Sequence, residues 1–176
     1  MIFNLQLNLY FATQLKSNYM NKRILPPQKA LEKLMSYCSK MERSEADVRQ
    51  KLFNWGIDTK KTNEIIEQLK KNSFIDGSRY IHAFIRGKYY YNKWGRVKIR
   101  FNLKLKGFSD EEINSAMDAF FATVDYEAMI YEQLERKNKS LSIDDEYLRK
   151  SKLILFGQSR GYETEISLNC VDKILS

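Results

Sequence analysis

A chain of 176 residues can form one globular core or a short row of helical modules, and 43% hydrophobic with 30% charged residues excludes a disordered or low-complexity class. Cys38 and Cys170 lie far apart and His82 is the only histidine, so a zinc site of normal spacing is excluded and a reducing compartment is expected. The net charge of +8 is concentrated. Between Ser78 and Gly107 stand nine Lys or Arg and no Asp or Glu, and a polyanion would be attracted most strongly there unless the run only solvates a helix face.

The opening stretch Met1 to Thr13 is apolar but interrupted by Asn4, Gln6 and Asn8, and no cation precedes it, so it predicts neither a signal peptide nor a bilayer span. Met20, followed by Lys22, Arg23, Pro26 and Pro27, has the look of a cytoplasmic start ahead of a first helix. Residues 1–27 are expected to form an N-terminal extension with little order.

Three glycines followed by a bulky residue, Gly56-Ile57, Gly107-Phe108 and Gly161-Tyr162, recur at intervals of 51 and 54 residues. Such a period predicts tandem helical units. The boundaries expected are 28–75 for the first repeat, 76–125 for a basic second repeat and 126–176 for a third. In the first, Leu31, Leu34, Met35, Cys38 and Met41 fall on one helical face. Ser44 caps a second helix with Asp47 at its third position, Val48 and Leu52 face inward, and Gly56 supplies a left-handed stop. A third helix buries Ile65, Ile66 and Leu69, and Asp76 caps the next.

The second repeat opens on the stripe Tyr80, Ile81, Phe84 and Ile85 and continues through Tyr89, Tyr90, Tyr91 and Trp94 to Gly95. From Val97 to Leu105, apolar Val97, Ile99, Phe101, Leu103 and Leu105 alternate with polar residues, which by period alone is a half-buried strand. The corresponding place in the first repeat is helical and a lone strand has no partner, so a helix is expected here too. The stripe Ile113, Ala116, Met117 and Phe120 closes the repeat. The third repeat predicts helices near Tyr126–Lys137, Tyr147–Phe156 and Glu165–Leu175, with Asp144, Asp145 and Glu146 at a helix start. The fold class is therefore all-α: three tandem three-helix repeats forming an elongated, curved helical solenoid.

The run from Phe74 through Asp76, Tyr80-Ile81 and Phe84-Ile85 to Arg86, followed by Gly95-Arg96-Val97-Lys98-Ile99-Arg100, Leu103 and Lys106-Gly107-Phe108, resembles the signature of the RecX family. Ala30-Leu31, Arg43 to Val48, Lys51-Leu52 and Gly56 resemble its first repeat, and Phe156 with Ser159-Arg160-Gly161-Tyr162 its last. The likeness covers roughly residues 28–175. Gly77, Phe101-Asn102 and Gly157 depart from it: the family more usually has a second acid, a polar-acidic pair and an aliphatic there.

The resemblance implies a regulator of the RecA recombinase, active in DNA repair and recombination. Such a protein lies in the groove of the RecA filament on single-stranded DNA and curbs its ATPase, its recombinase activity and its extension. Its partners would be that filament and, weakly or through it, single-stranded DNA. It would be a cytoplasmic monomer without cofactor, metal or membrane contact. Candidates for phosphate or acidic-groove contacts are Arg86, Lys88, Lys93, Arg96, Lys98, Arg100, Lys104 and Lys106. Tyr89, Tyr90 and Tyr91, with Trp94 beside them, serve either to stack on bases or anchor in a protein pocket, or to pack between repeats. Arg160 either ends its helix favourably or touches a partner, the first being the stronger expectation. A stand-alone basic DNA-binding module, such as a helix-turn-helix regulator with Val97 to Leu105 as a β wing, would use the same patch. An enzyme is not expected, since the basic window holds no acid and no P-loop, nucleophile elbow or metal spacing occurs elsewhere.

Overall fold

The computed structural model describes residues 25–176, and every regular element among them is an α-helix. The expectation of an N-terminal extension falls largely on residues 1–24, outside the described residues. The helices form three three-helix repeats. The first holds α1 (Pro27–Cys38), α2 (Glu45–Asn54) and α3 (Thr59–Lys71). The second holds α4 (Gly77–Tyr90), α5 (Arg96–Leu105) and α6 (Asp110–Phe121), and the third α7 (Tyr126–Lys139), α8 (Glu146–Arg160) and α9 (Thr164–Leu175). The chain divides into two compact units, the first ending at Ile75 and the second running from Asp76 to Ser176.

In the first unit, Pro27 opens α1, where its missing N–H is no loss. Ala30, Leu34 and Cys38 follow at four-residue intervals and are buried. Leu31 and Met35 pack at the margin, but Met41 lies past the helix end and is 57% exposed, so it does not take the inward place expected for it. Its stripe stops because the helix stops at Cys38. Ser44 caps α2 reciprocally with Asp47: the Ser44 hydroxyl accepts from the Asp47 amide at 3.1 Å and the Asp47 carboxylate accepts from the Ser44 amide at 3.2 Å. Val48 and Leu52 are buried, and they meet Ile65, Ile66 and Leu69 of α3 in one core.

The second unit repeats the logic with two repeats sharing one core. Asp76 accepts from the Arg79 amide at 2.9 Å to start α4, which buries Tyr80, Ile81, Ile85 and Tyr89. Ser109 and Glu112 form a second reciprocal cap on α6, and Asp145 caps α8. α7, α8 and α9 pack on one another, and α4 packs on α6. Where α8 meets α9, a Cβ on Gly157 would meet the Ser167 hydroxyl at 2.9 Å. The small residue is what lets the two helices approach.

The alternating segment Val97–Leu105 is helical, as expected against its period. Ile99 and Leu103, one turn apart, are fully buried, while Val97, Phe101 and Leu105, also one turn apart, are 54%, 61% and 66% exposed. One apolar set faces the core and the other faces away. Gly56, Gly107 and Gly161 have φ of 74°, 89° and 79° and follow α2, α5 and α8, so the glycine period marks the end of the second helix of each repeat. Gly95, in contrast, ends no helix: it is the N-cap of α5.

Candidate partner and nucleic-acid interface

α5 carries its cations on two rims of the exposed apolar face. Arg96, Arg100 and Lys104 recur every fourth residue, on the side facing the acidic helix α6. There Lys104 pairs with Asp110 at 2.6 Å, Arg100 with the same carboxylate at 3.8 Å, and Arg96 with Asp118 at 3.7 Å. The hydrogen bond from Lys104, helped by Arg100, holds the Asp110 carboxyl below its ordinary range. The Arg96 guanidinium also lies 4.6 Å from the centroid of the Phe121 ring. In space the acidic segment that follows Gly107 is thus folded back on part of the basic one. Three of the expected contact residues are already engaged within their own repeat.

The other cations are arranged differently. Lys88 of α4 and Lys98 of α5 hold their ammonium groups 4.7 and 4.8 Å from the centroid of the half-buried Trp94 ring. Lys98 also donates to the carbonyl of Ser159 at 2.8 Å, and Arg160, the last residue of α8, donates to the carbonyl of Asn92 at 3.1 Å. Lys93 sits in the same loop with φ 53°, a left-handed conformation that costs a non-glycine residue about 1–2 kcal/mol. The Tyr162 hydroxyl, donating to the Lys93 carbonyl at 2.9 Å, helps hold it. Lys88, Lys93, Lys98 and Arg160 are half-buried, and none of them has a carboxylate within 4 Å among the described residues. Arg86 is exposed on α4 and likewise lacks an acidic partner among those residues, while Lys106, half-buried, follows α5.

The tyrosines separate. Tyr89 is only 5% exposed, edge-on to Phe120 and Phe121 and donating to the Asp125 carbonyl at 3.4 Å. This corrects its place among the stacking candidates, because a ring inside the core has no face to offer. Tyr90 is 47% exposed with its ring against Tyr89 and Phe120, and Tyr91 is 89% exposed.

The second and third repeats join at a backbone crossing beside this cluster. The amides of Gly95 and Val97 donate to the carbonyls of Arg160 and Gly161 at 2.9 and 3.1 Å, so the C-terminal carbonyls of α8 satisfy free amides at the start of α5. A Cβ on Gly95 would lie 2.1 Å from the Gly161 carbonyl oxygen, and one on Gly161 would lie 2.5 Å from the Lys98 nitrogen. Next to the crossing, the Tyr126 hydroxyl accepts from the Arg96 amide at 3.0 Å and donates to Glu163 at 2.7 Å. Burial, then the Glu163 carboxylate, push that phenol far above the ordinary tyrosine range. Arg160, placed by sequence at a helix end, is thus also part of the cation cluster. Its partner Asn92 is 68 residues away, so nothing local in the sequence pairs them.

Around exposed His82 a small pocket is lined by Ser78, Ile81, Glu112, Ser115 and Ala116, but the Glu112 carboxylate is occupied by the cap at Ser109. Among the described residues no group of three or more His, Cys, Asp or Glu is placed to hold a metal. No described helix is long and apolar enough to cross a membrane.

These features define a class: an all-helical protein of tandem three-helix repeats whose second repeat carries the basic surface. Residues 76–117 match the model of the second three-helix domain of RecX. The chain is 31% identical over 136 residues to the regulatory protein RecX of Clostridium acetobutylicum, covering 76% of this chain and 63% of that protein, and so spans less than two thirds of that relative's length. It is 26% identical over 149 residues to the regulatory protein RecX of Prosthecochloris aestuarii, covering 85% of this chain and 95% of that one. The crystal structure of RecX from Lactobacillus salivarius shares the fold, with TM-score 0.69 at 20% identity over 84% of this chain and 96% of that one. The likenesses are thus to RecX proteins, to the model of their second three-helix domain and to whole relatives over most of this chain's length.

Proposed function

We propose that this chain regulates the RecA recombinase by binding, not by catalysis. As a cytoplasmic monomer it docks on the RecA filament formed on single-stranded DNA and curbs ATP hydrolysis, strand exchange and filament extension. The observation that carries this is the coincidence of two things: the family match falls on residues 76–117, and that segment contains the whole window from Ser78 to Gly107, with nine Lys or Arg and no Asp or Glu. The binding surface lies on the second repeat, with Arg86, Lys88, Lys93, Lys98, Lys106, Tyr90 and Tyr91 contributing most. Arg96, Arg100 and Lys104 contribute less because Asp110 and Asp118 already neutralise them. The repeat boundaries proposed for this role are 28–75, 76–125 and 126–176. The rival, a winged helix-turn-helix module working on DNA alone, draws no support from Val97–Leu105, which is helical and supplies no wing.

Co-sedimentation tests it. The chain should pellet with RecA filaments on single-stranded DNA at least about tenfold more tightly than with the bare strand, a gap of roughly 1.4 kcal/mol. Equal affinity for bare strand and filament would sink the proposal in favour of the stand-alone module.

A further inference from the structure

We infer that the junction between the second and third repeats is a clamp for a single-stranded nucleic acid: Lys88, Lys93, Lys98 and Arg160 grip consecutive phosphates while Tyr91 offers its ring to a base. The inference builds on the reading of the second repeat as a surface for polyanions, but it needs no recombinase.

The cluster is built from four places in the chain, namely α4, the loop before α5, α5 itself and the end of α8. The ammonium groups of Lys88 and Lys98 sit on one indole ring, within about 10 Å of each other, the Debye length at 0.1 M salt. Cations held this close repel one another. Elsewhere in the same unit cations are matched to acids, Lys104 with Asp110 and Lys150 with Asp172, yet among the described residues Lys88, Lys98 and Arg160 have only π faces and carbonyls as partners, and Lys93 has no carboxylate within 4 Å. A carbonyl uses one of three donors on Lys98 and one of five on Arg160, leaving the rest for an anion. The side chains are half-buried, so their stems are ordered before a ligand arrives.

An acidic protein surface would also satisfy four cations. What favours nucleic acid is the aromatic at the edge of the cluster. Tyr91 is 89% exposed and two residues from Lys93, and the carbonyl of the intervening Asn92 holds Arg160. Free aromatic faces interleaved with unpaired cations suit splayed bases and a phosphate backbone, and a duplex would hide the base faces that Tyr91 requires.

The test uses the full chain and fluorescently labelled oligothymidylate, read by anisotropy across a salt series without RecA. The variant Lys88→Gln, Lys98→Gln, Arg160→Gln should bind at least about tenfold more weakly. Its dependence of log affinity on log salt should be shallower by about 2, near 0.7 for each single-strand phosphate that the variant no longer neutralises. A variant with the same charge change at ion-paired sites, Arg136→Gln, Lys150→Gln, Lys173→Gln, should bind within about twofold of the parent. Tyr91→Ala should weaken oligothymidylate by about fivefold or more but leave an abasic strand unchanged, which separates a nucleic-acid site from one for bare phosphate. Thermal melting of each variant confirms that it is folded. Equal losses in both triple variants would overturn the clamp. So would no binding to the bare strand together with lost filament co-sedimentation in the cluster variant, which would assign these cations to a protein partner. Failure of the parent to prefer filaments over bare strand would refute the proposed regulation and leave the clamp standing.

Discussion

Two glycines with nearly the same backbone conformation do different jobs, and the difference can be measured. Gly107 and Gly161 both have positive φ, but a Cβ at Gly107 would meet nothing within 4 Å whereas one at Gly161 would run into the backbone of Lys98. Gly107→Ala should therefore cost only the left-handed strain, about 1 kcal/mol. Gly161→Ala should cost about 3 kcal/mol or more, because strain adds to a clash that only separation of α5 from α8 relieves. Chemical denaturation of the two variants checks this. Equal costs would mean that the backbone crossing is not tightly held. The glycine period was legible in the sequence because positive φ leaves a glycine mark at each repeat. The crossing was not, since the bonds from Gly95 and Val97 to residues 160 and 161 depend on how two repeats pack.

At the scale of the helix, α5 shows how an alternating pattern can mislead. Five apolar residues at every second position satisfy a strand, yet in a helix the same residues split into Ile99 and Leu103 inside and Val97, Phe101 and Leu105 outside. Leu103→Ala should destabilise the chain by about 2–5 kcal/mol, whereas Phe101→Ala should change stability by only about 0.5 kcal/mol. In a strand those two side chains would share one face and cost alike, so similar losses would contradict the helical assignment. The caps at Ser44, Asp76 and Ser109 were readable, because capping chemistry is local. The charge runs were harder to read. Nine cations between Ser78 and Gly107 made one basic window in the sequence, but the hairpin at Gly107 sets Arg100 and Lys104 against Asp110, and Lys88 and Lys98 gather instead around Trp94. Tyr89 was misplaced for the same reason: adjacent tyrosines on one helix point to different environments, and burial of the first depends on α6.

Over the whole molecule, the Asp76–Ser176 unit rests on buried phenols that must remain protonated. Burial pushes the Tyr162 phenol up to about 12, against a weaker opposing pull from Arg160. A raised folded-state value means that its contribution is fully present below the ordinary tyrosine value of about 10 and is lost as pH climbs from there through 12. The stability of this unit should fall by roughly 2–3 kcal/mol across that window from Tyr162 alone, with Tyr126 adding to the slope. Circular dichroism of denaturant unfolding between pH 8 and 11.5 should show the decline, and Tyr162→Phe should flatten it. A decline unchanged in Tyr162→Phe would mean that the phenol is not held as described.

Regulation of the recombinase through a basic repeat is tested most directly by RecA ATP hydrolysis on single-stranded DNA, titrated with this chain. Inhibition should appear well below one chain per RecA subunit, since a protein seated on a filament affects many subunits at once. Undiminished hydrolysis at equimolar chain, with the chain demonstrably bound to the DNA, would contradict the account.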